Sequence, residues 1–281
     1  MFSNLNLGVL VTLFATSVYS HMAMVQPCPR LSPNNPLCPA GDPVDYNIKN
    51  PIGTSSAASQ PLCKTDKKTS KNVETWTAGS TVTVKFQPNG AAHSGGHCQF
   101  ALSYDGGKTF VVIKDVLKYC FFNGQKYGNT AEVLSYDIQL PSNLPSSNSA
   151  VFAWTWINAS GNREYYMNCA DVAIKGVNGG SYTGKKLLIA NYGPGTPVVA
   201  EFNGNYESGI DLLNSRPSIT VNDSGTSSEP GYSTMVQPGG RSNDYSLNMQ
   251  YDSYGYNISP DYVDNGRCRC SCDANGRPYI F

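Results

Sequence analysis

Charge is scarce in this chain, and what there is cancels. Only 14% of the 281 residues are Asp, Glu, Lys or Arg, and twenty basic residues balance twenty acidic ones. Such a balance gives no bulk attraction to nucleic acid or to an anionic membrane. Histidine is rarer still, with three residues: His21, His93 and His97. Long apolar runs are missing beyond the N-terminus. The one there, Leu7 to Val18, spans about a dozen residues, inside the ~7–15 of a signal h-region and short of the ~20 a membrane helix needs. No long amphipathic helix pattern and no internal repeat is visible. The end of the chain, Arg277-Pro278-Tyr279-Ile280-Phe281, is not the apolar tail of a lipid-anchor signal.

What is present points to export. Nine cysteines suit an oxidising compartment. Val18-Tyr19-Ser20 has the small residues at −3 and −1 that a signal peptidase prefers, although Met1 to Asn6 carry no Lys or Arg. The expectation is a signal peptide over 1–20 and a mature chain of 261 residues that begins at His21, secreted to the medium or the cell wall. Asn158, Asn222 and Asn257 each head an Asn-x-Ser acceptor and are candidate glycosylation sites.

The secondary-structure signals are short and strand-like. Ser80–Phe86 alternates with period two. Cys98–Tyr104 and Thr109–Lys114 flank a turn at Asp105-Gly106-Gly107, and Ala150–Ile157 returns through Asn158–Asn162 into Arg163–Ile174. Thr196–Phe202 reads as a further strand. Short strands between turns predict an all-β sandwich over 21–222, with a loop-rich stretch at 28–75. From 223 to 281 the chain is Ser, Gly, Asn, Asp and Tyr with few aliphatics. It cannot bury enough apolar area to offset its ordering entropy, so a disordered C-terminal tail is expected, closing on Cys268, Cys270 and Cys272.

The chemistry rests on histidine. Cleavage after Ser20 frees an α-amino group on His21, and that amine and its own imidazole can chelate one metal ion. No internal histidine can do so, because its backbone nitrogen is an amide. His93 and His97 lie in Ala91-Ala92-His93-Ser94-Gly95-Gly96-His97-Cys98-Gln99. His-x3-His on a helix is a familiar zinc pair, but two glycines intervene here, so a loop entering the Cys98 strand is the better reading. Either histidine could face His21 from that loop. The resulting flat, three-nitrogen set suits Cu(II), which prefers tetragonal geometry and tops the divalent affinity series, whereas zinc wants a tetrahedral set. Affinity should fall below roughly pH 6–7 as these groups protonate. On the Arg163–Cys169 strand, Glu164, Tyr166 and Asn168 share one face. Tyr166 is a candidate axial group and Glu164 the carboxylate beside it.

Taken together, His21 behind a signal peptide, His93-Ser94-Gly95-Gly96-x-Cys98-Gln99, Ala153-Trp154-Thr155-Trp156 and Gly161–Ala170 resemble the fungal lytic polysaccharide monooxygenases of auxiliary-activity family eleven, copper enzymes acting on chitin. The resemblance spans about His21 to Val221. It implies an immunoglobulin- or fibronectin-III-like β-sandwich core and one copper per chain on His21 and His93, with Tyr166 axial and Glu164 adjacent. It implies oxidative cleavage of β-1,4 bonds of insoluble chitin, at C1, with an external electron donor and O2 or H2O2 as co-substrate. His97 departs from the motif and is given no metal role.

Cysteine connectivity does not follow from spacing. The expected pairs are Cys28 with Cys38, Cys63 with Cys169, and Cys98 with Cys120. Trp154 and Trp156, flanked by Phe152, read as core. Substrate-facing aromatics are sought instead among Tyr46, Tyr127 and Tyr192. A monomer is expected, with no nucleic-acid or membrane partner. Two other readings compete. One is a copper-binding protein with the same histidine brace and no activity, which would hold copper without releasing oxidised sugars. The other is a metal-free chitin or cell-wall binding module, for which His21→Ala would change nothing.

Overall fold

The computed structural model describes residues 21–204, 206–223 and 227–228. The strands in order are β1 (Met24–Gln26), β2 (Gly53–Thr54), β3 (Ala57–Ala58), β4 (Glu74–Thr77), β5 (Thr81–Phe86), β6 (Gly96–Ser103) and β7 (Val111–Val116). There follow β8 (Ser135–Gln139), β9 (Ser147–Asn158), β10 (Glu164–Lys175), β11 (Ser181–Lys185), a six-residue helix α1 (Ile210–Ser215), β12 (Ser218–Asn222) and β13 (Ser227–Ser228). One sheet runs β3-β2-β10-β9-β6-β7, with β4 added parallel to β10. A second runs β1-β5-β8 and a third β11-β12-β13. Apart from β4, the pairings are antiparallel. The molecule is a β-sandwich: the large sheet faces β1-β5-β8 across a single aromatic core.

Period two explains both faces of the large sheet. Phe152, Trp154 and Trp156 of β9 point between the sheets, with Phe100 and Leu102 of β6 and Tyr166, Ala170 and Val172 of β10. They meet Val82, Val84, Phe86 and Ile138 of the second sheet. Phe86 crosses Trp154 edge-on at 4.8 Å, a favoured aromatic geometry. The odd-numbered set, Val151, Ala153, Ile157, Tyr165 and Met167, packs on the opposite face against Leu187, Leu188, Val199, Phe202, Tyr206 and Leu213. A sheet covered on both sides reads as a continuous apolar run, and β6 is buried at every position.

Disulfides join Cys28–Cys38, Cys63–Cys169 and Cys98–Cys120. The first closes a Pro-rich loop, the second ties the long connection before β4 to β10, and the third clips the segment after β7 to β6.

One expectation is corrected. Thr196–Phe202 is not a strand. Pro197 brings no N–H, the Asn191 amide donates to the Pro197 carbonyl at 2.9 Å, and the Asn191 side chain accepts from Val199 N at 2.9 Å. Phe202 N donates to Ala159 O at 2.8 Å. These bonds spend the backbone on loop contacts and leave no ladder to form. Asn158, an expected glycosylation acceptor, closes the turn after β9. It is fully buried, and its side-chain amide donates to Ser160 O and Asn162 O, both at 2.8 Å, so a glycan would have to displace the turn it closes. Asn222 is half-buried on β12. Asn257, Cys268, Cys270 and Cys272 lie outside the described residues.

Candidate metal centre

The site lies where β9 ends and β10 begins, at one edge of the sandwich. The segment carrying His21 runs parallel to Ala91 before β1 starts, through a single bridge. It passes so close that a Cβ on Gly90 would lie 2.9 Å from His21 O and 2.6 Å from Met22 Sδ. A glycine is therefore needed for His21 to sit where it does.

His93 stands on the loop entering β6. His93, Ser94, Gly95 and Gly96 all have positive φ, at 43°, 58°, 99° and 126°. Two of these are not glycine, and left-handed backbone costs each about 1–2 kcal/mol. The loop is held by named bonds. His93 N donates to Asn129 Oδ1 at 3.2 Å, Ser94 N to Gly128 O at 2.8 Å, and Ser160 N to His93 O at 3.1 Å. At Gly96 the sheet closes so tightly that a Cβ would be 2.0 Å from Ile157 O.

This geometry brings His21, His93, Glu164 and Tyr166 together. The His21 ring is 5.0 Å from His93, with an interplanar angle of 30°, and 5.2 Å from Tyr166. The candidate donor atoms of His21, His93 and Glu164 all lie within 4.8 Å of one another. Trp156 underlies the group, 4.6 Å from Tyr166 and 5.8 Å from His93. The Tyr166 hydroxyl donates to Glu164 Oε2 at 2.5 Å, a charge-assisted bond that fixes both side chains. The same oxygen is 4.0 Å from His21 Nε2.

The decisive feature is what these rings leave unpaired. His21 Nδ1 and His93 Nε2 are buried, and neither has a hydrogen-bond partner. An orphaned buried nitrogen costs about 1–3 kcal/mol, so two on adjacent rings call for an explanation. A metal ion supplies one. Nδ1 is also the ring nitrogen that closes a six-membered chelate with a histidine's own α-amino nitrogen; Nε2 is too far around the ring. The donor set therefore fits a metal ion gripped by nitrogen, with the carboxylate already engaged by Tyr166.

Burial lowers the pKa of both histidines. For His21 the Glu164 charge opposes this and Lys49 reinforces it; for His93 the neighbouring His21 reinforces it. Burial, then the bond to Glu164, pushes the Tyr166 phenol far above its ordinary value, so it stays protonated and donates.

His97 goes elsewhere. It sits on the face of β6 opposite Trp156 and is fully buried. Its Nδ1 accepts from Lys118 N at 3.0 Å, which puts the proton on Nε2, 2.8 Å from Ser208 O. It clamps chain segments and does not join the cluster of His21, His93 and Glu164. Tyr46 and Tyr127 are exposed, at 76% and 63%. Tyr192 is half-buried with its hydroxyl on Gln60 O, a packing role. Sequence reasoning missed Lys49, whose charge reaches His21, and the carriers of the His93 loop, Asn129, Ser160 and Tyr206. Only Ser94, adjacent to His93, gave a local signal; the others are far away in sequence.

Comparison with known proteins places this chain in a family. The sequence model of the family described as lytic polysaccharide mono-oxygenase, cellulose-degrading, matches residues 25–172. AA11 family lytic polysaccharide monooxygenase A of Aspergillus fumigatus is 35% identical over 205 residues, covering 71% of this chain and 85% of that one. An AA11 family lytic polysaccharide monooxygenase of Aspergillus oryzae is 30% identical over 233 residues, covering 76% and 50%. AA11 family lytic polysaccharide monooxygenase B of Aspergillus fumigatus is 29% identical over 185 residues, covering 62% and 40%. The chain therefore spans most of the first relative and half or less of the other two. It belongs to the lytic polysaccharide monooxygenases, a family of oxidoreductases that cleave polysaccharides, and within it to the AA11 group.

Proposed function

We propose that this chain is a secreted, copper-dependent monooxygenase that cleaves β-1,4 bonds of chitin at C1. Removal of residues 1–20 exposes the α-amine of His21. That amine, His21 Nδ1 and His93 Nε2 hold the copper. The observation that carries the reading is the pair of buried, unpartnered ring nitrogens, which are the two such a brace requires. Bound there, copper supplies the one-electron redox chemistry that turns O2 or H2O2 into a hydroxylating agent.

The protein's own work is positional. Tyr166 closes one side of the metal position and Trp156 packs behind it, so water is excluded from the rear of the site. Glu164 Oε2 accepts the hydrogen bond of the Tyr166 hydroxyl and lies 4.0 Å from His21 Nε2, where it can take up or return a proton delivered from solvent. Tyr127 projects from the loop that bonds His93 through Asn129 and Ser94 through Gly128, and offers an exposed ring to a pyranose face. Hydroxylation at C1 destabilises the glycosidic bond, and the new chain end leaves as a lactone that hydrates to an aldonic acid. With O2 as oxidant, an external donor supplies two electrons and two protons are taken up, one oxygen leaving as water.

Chitin and C1 attack are supported by the motif likeness running from His21 to Val221. The test is direct. N-terminal sequencing of the secreted protein should read His21-Met22-Ala23. Copper-loaded protein with a reductant and β-chitin should release aldonic-acid oligosaccharides, and a parallel incubation with cellulose should not. Products from cellulose alone would reassign the substrate. No oxidised product from either, with copper confirmed bound, would remove the enzymatic reading.

A further inference from the structure

The backbone that aims His93 is held from a segment more than one hundred residues downstream. Every polar backbone atom of His93 and Ser94 is taken. Three bonds were given above; the fourth joins Ser94 O to the hydroxyl of Tyr206, which donates at 2.9 Å and also lies 3.2 Å from Lys126 O. Tyr206 is fully buried and itself adopts a left-handed φ of 57°. Its ring packs on Tyr119 at 5.0 Å and edge-on to Phe202 at 5.5 Å. Residues on either side of it are tied down. Gly161 N donates to Glu201 Oε1 at 2.9 Å and Phe202 N to Ala159 O at 2.8 Å. At the far end His97 Nε2 donates to Ser208 O.

We propose that Tyr206 is a positioning residue for the metal centre: its buried hydroxyl locks Ser94 O, and so fixes the strained loop that points His93 Nε2 toward His21. His97 anchors the strap that delivers that hydroxyl, which gives the third histidine a function without a metal bond. The aim of His93 rests on the copper reading above; the locking of the loop does not.

The reasoning is mechanical. A loop with two consecutive non-glycine residues in left-handed backbone relaxes when a restraint is removed. The ring nitrogen of His93 is five bonds from its own backbone carbon, so a small rotation there displaces the donor atom. Residues that orient metal ligands in this way set affinity over about one to two decades.

Tyr206→Phe tests this, because it keeps the ring and removes only the hydroxyl. Tyr104→Phe is the control. Tyr104 is also buried and donates to one carbonyl, Pro145 O at 3.2 Å, but it lies beyond the far end of β6 from the site. In metal-free protein, hydrogen exchange at the amides of residues 92–96 should quicken in Tyr206→Phe and stay at the wild-type rate in Tyr104→Phe. In copper-loaded protein, Tyr206→Phe should bind Cu(II) about tenfold more weakly and show altered copper hyperfine splitting in its electron paramagnetic resonance spectrum. The control should match wild type in both. Unchanged exchange in metal-free Tyr206→Phe overturns the proposal, as does an equal change in the control. Failure of wild-type protein to bind copper would instead defeat the copper reading and leave the exchange measurement to decide this one.

Discussion

Acid should loosen this protein through His97, and by an amount that follows from its burial. The imidazole is fully enclosed, and its Nδ1 already accepts the Lys118 amide proton. Burial dominates and lowers its pKa from 6.5 to about 4; the bond to Ser208 and the charge of Asp115 oppose this, while Lys118 and Arg216 reinforce it. Asp115 is paired with Arg216, and Lys118 with Glu207, so the facing charges nearly cancel. Between pH 6.5 and 4 the unfolded chain binds a proton that the folded chain refuses. Stability is therefore complete above pH 6.5 and falls as pH drops toward 4. The loss is about 2 kcal/mol at pH 5 and about 3 kcal/mol at pH 4. Urea unfolding of chelator-treated protein at pH 7, 5 and 4 measures it, with His97→Gln as the reference. A glutamine keeps a donor and an acceptor but does not titrate. The wild-type advantage over the variant should shrink by about 3 kcal/mol across the series. Parallel pH profiles for the two proteins would refute the reasoning, and so would an imidazole titration near 6.5 for His97 in the folded protein.

The three disulfides should rank by the loop each closes: Cys63–Cys169 spans 106 residues, Cys98–Cys120 spans 22 and Cys28–Cys38 spans 10. Paired Cys→Ser variants should cost about 5, 3 and 3 kcal/mol by loop entropy, and chemical denaturation showing the 28–38 pair as the costliest would overturn the ranking. Tyr166→Phe removes the donor to Glu164 while keeping the ring against Trp156. It should retain copper within a fewfold yet lower turnover at least about tenfold, and an unchanged rate would strip Tyr166 of its assigned role. Tyr127→Ala should leave the melting temperature unchanged and weaken adsorption to β-chitin about fivefold, as expected for one lost stacking contact; equal adsorption by variant and wild type would remove Tyr127 from the docking surface.

The parts of the fold that alternate were legible. β6, β9 and β10 announce themselves because each packs large residues at every second position and turns at Asp105-Gly106-Gly107 or around Gly161. β1, β2 and β3 escaped notice because two or three residues carry no period. Thr196–Phe202 was misread because its aliphatics face a core from a loop, with Pro197 and the Asn191 side chain diverting the backbone. Asn158 shows what a short motif leaves out: Asn-x-Ser marks an acceptor, and only the fold shows that this side chain is buried. Glycines 95 and 96 gave away a loop at His93, but spacing alone left His93 and His97 as equal partners for His21. Strand parity settles it. His97 is already on β6 and its side chain takes the face away from Trp156, whereas His93 stands before the strand, free of its alternation.

The same comparison explains why the site is built on strained backbone rather than on a helix. A helix would carry two histidines four residues apart on one face, and they would converge on one ion from the same side. Here the two donors come from chain segments that meet across the edge of the sandwich, one an extended N-terminal segment beside Ala91 and the other a left-handed loop. The rings can then approach an ion from different sides, with Tyr166 and Glu164 filling the flank between them. That arrangement leaves two ring nitrogens without hydrogen bonds, at about 1–3 kcal/mol each, and two non-glycine residues at positive φ, at about 1–2 kcal/mol each. A marginal domain could not carry such a load. This one has a large sheet buried on both faces and three cross-links to offset it, and a metal ion taken up by those nitrogens removes the larger part of the cost.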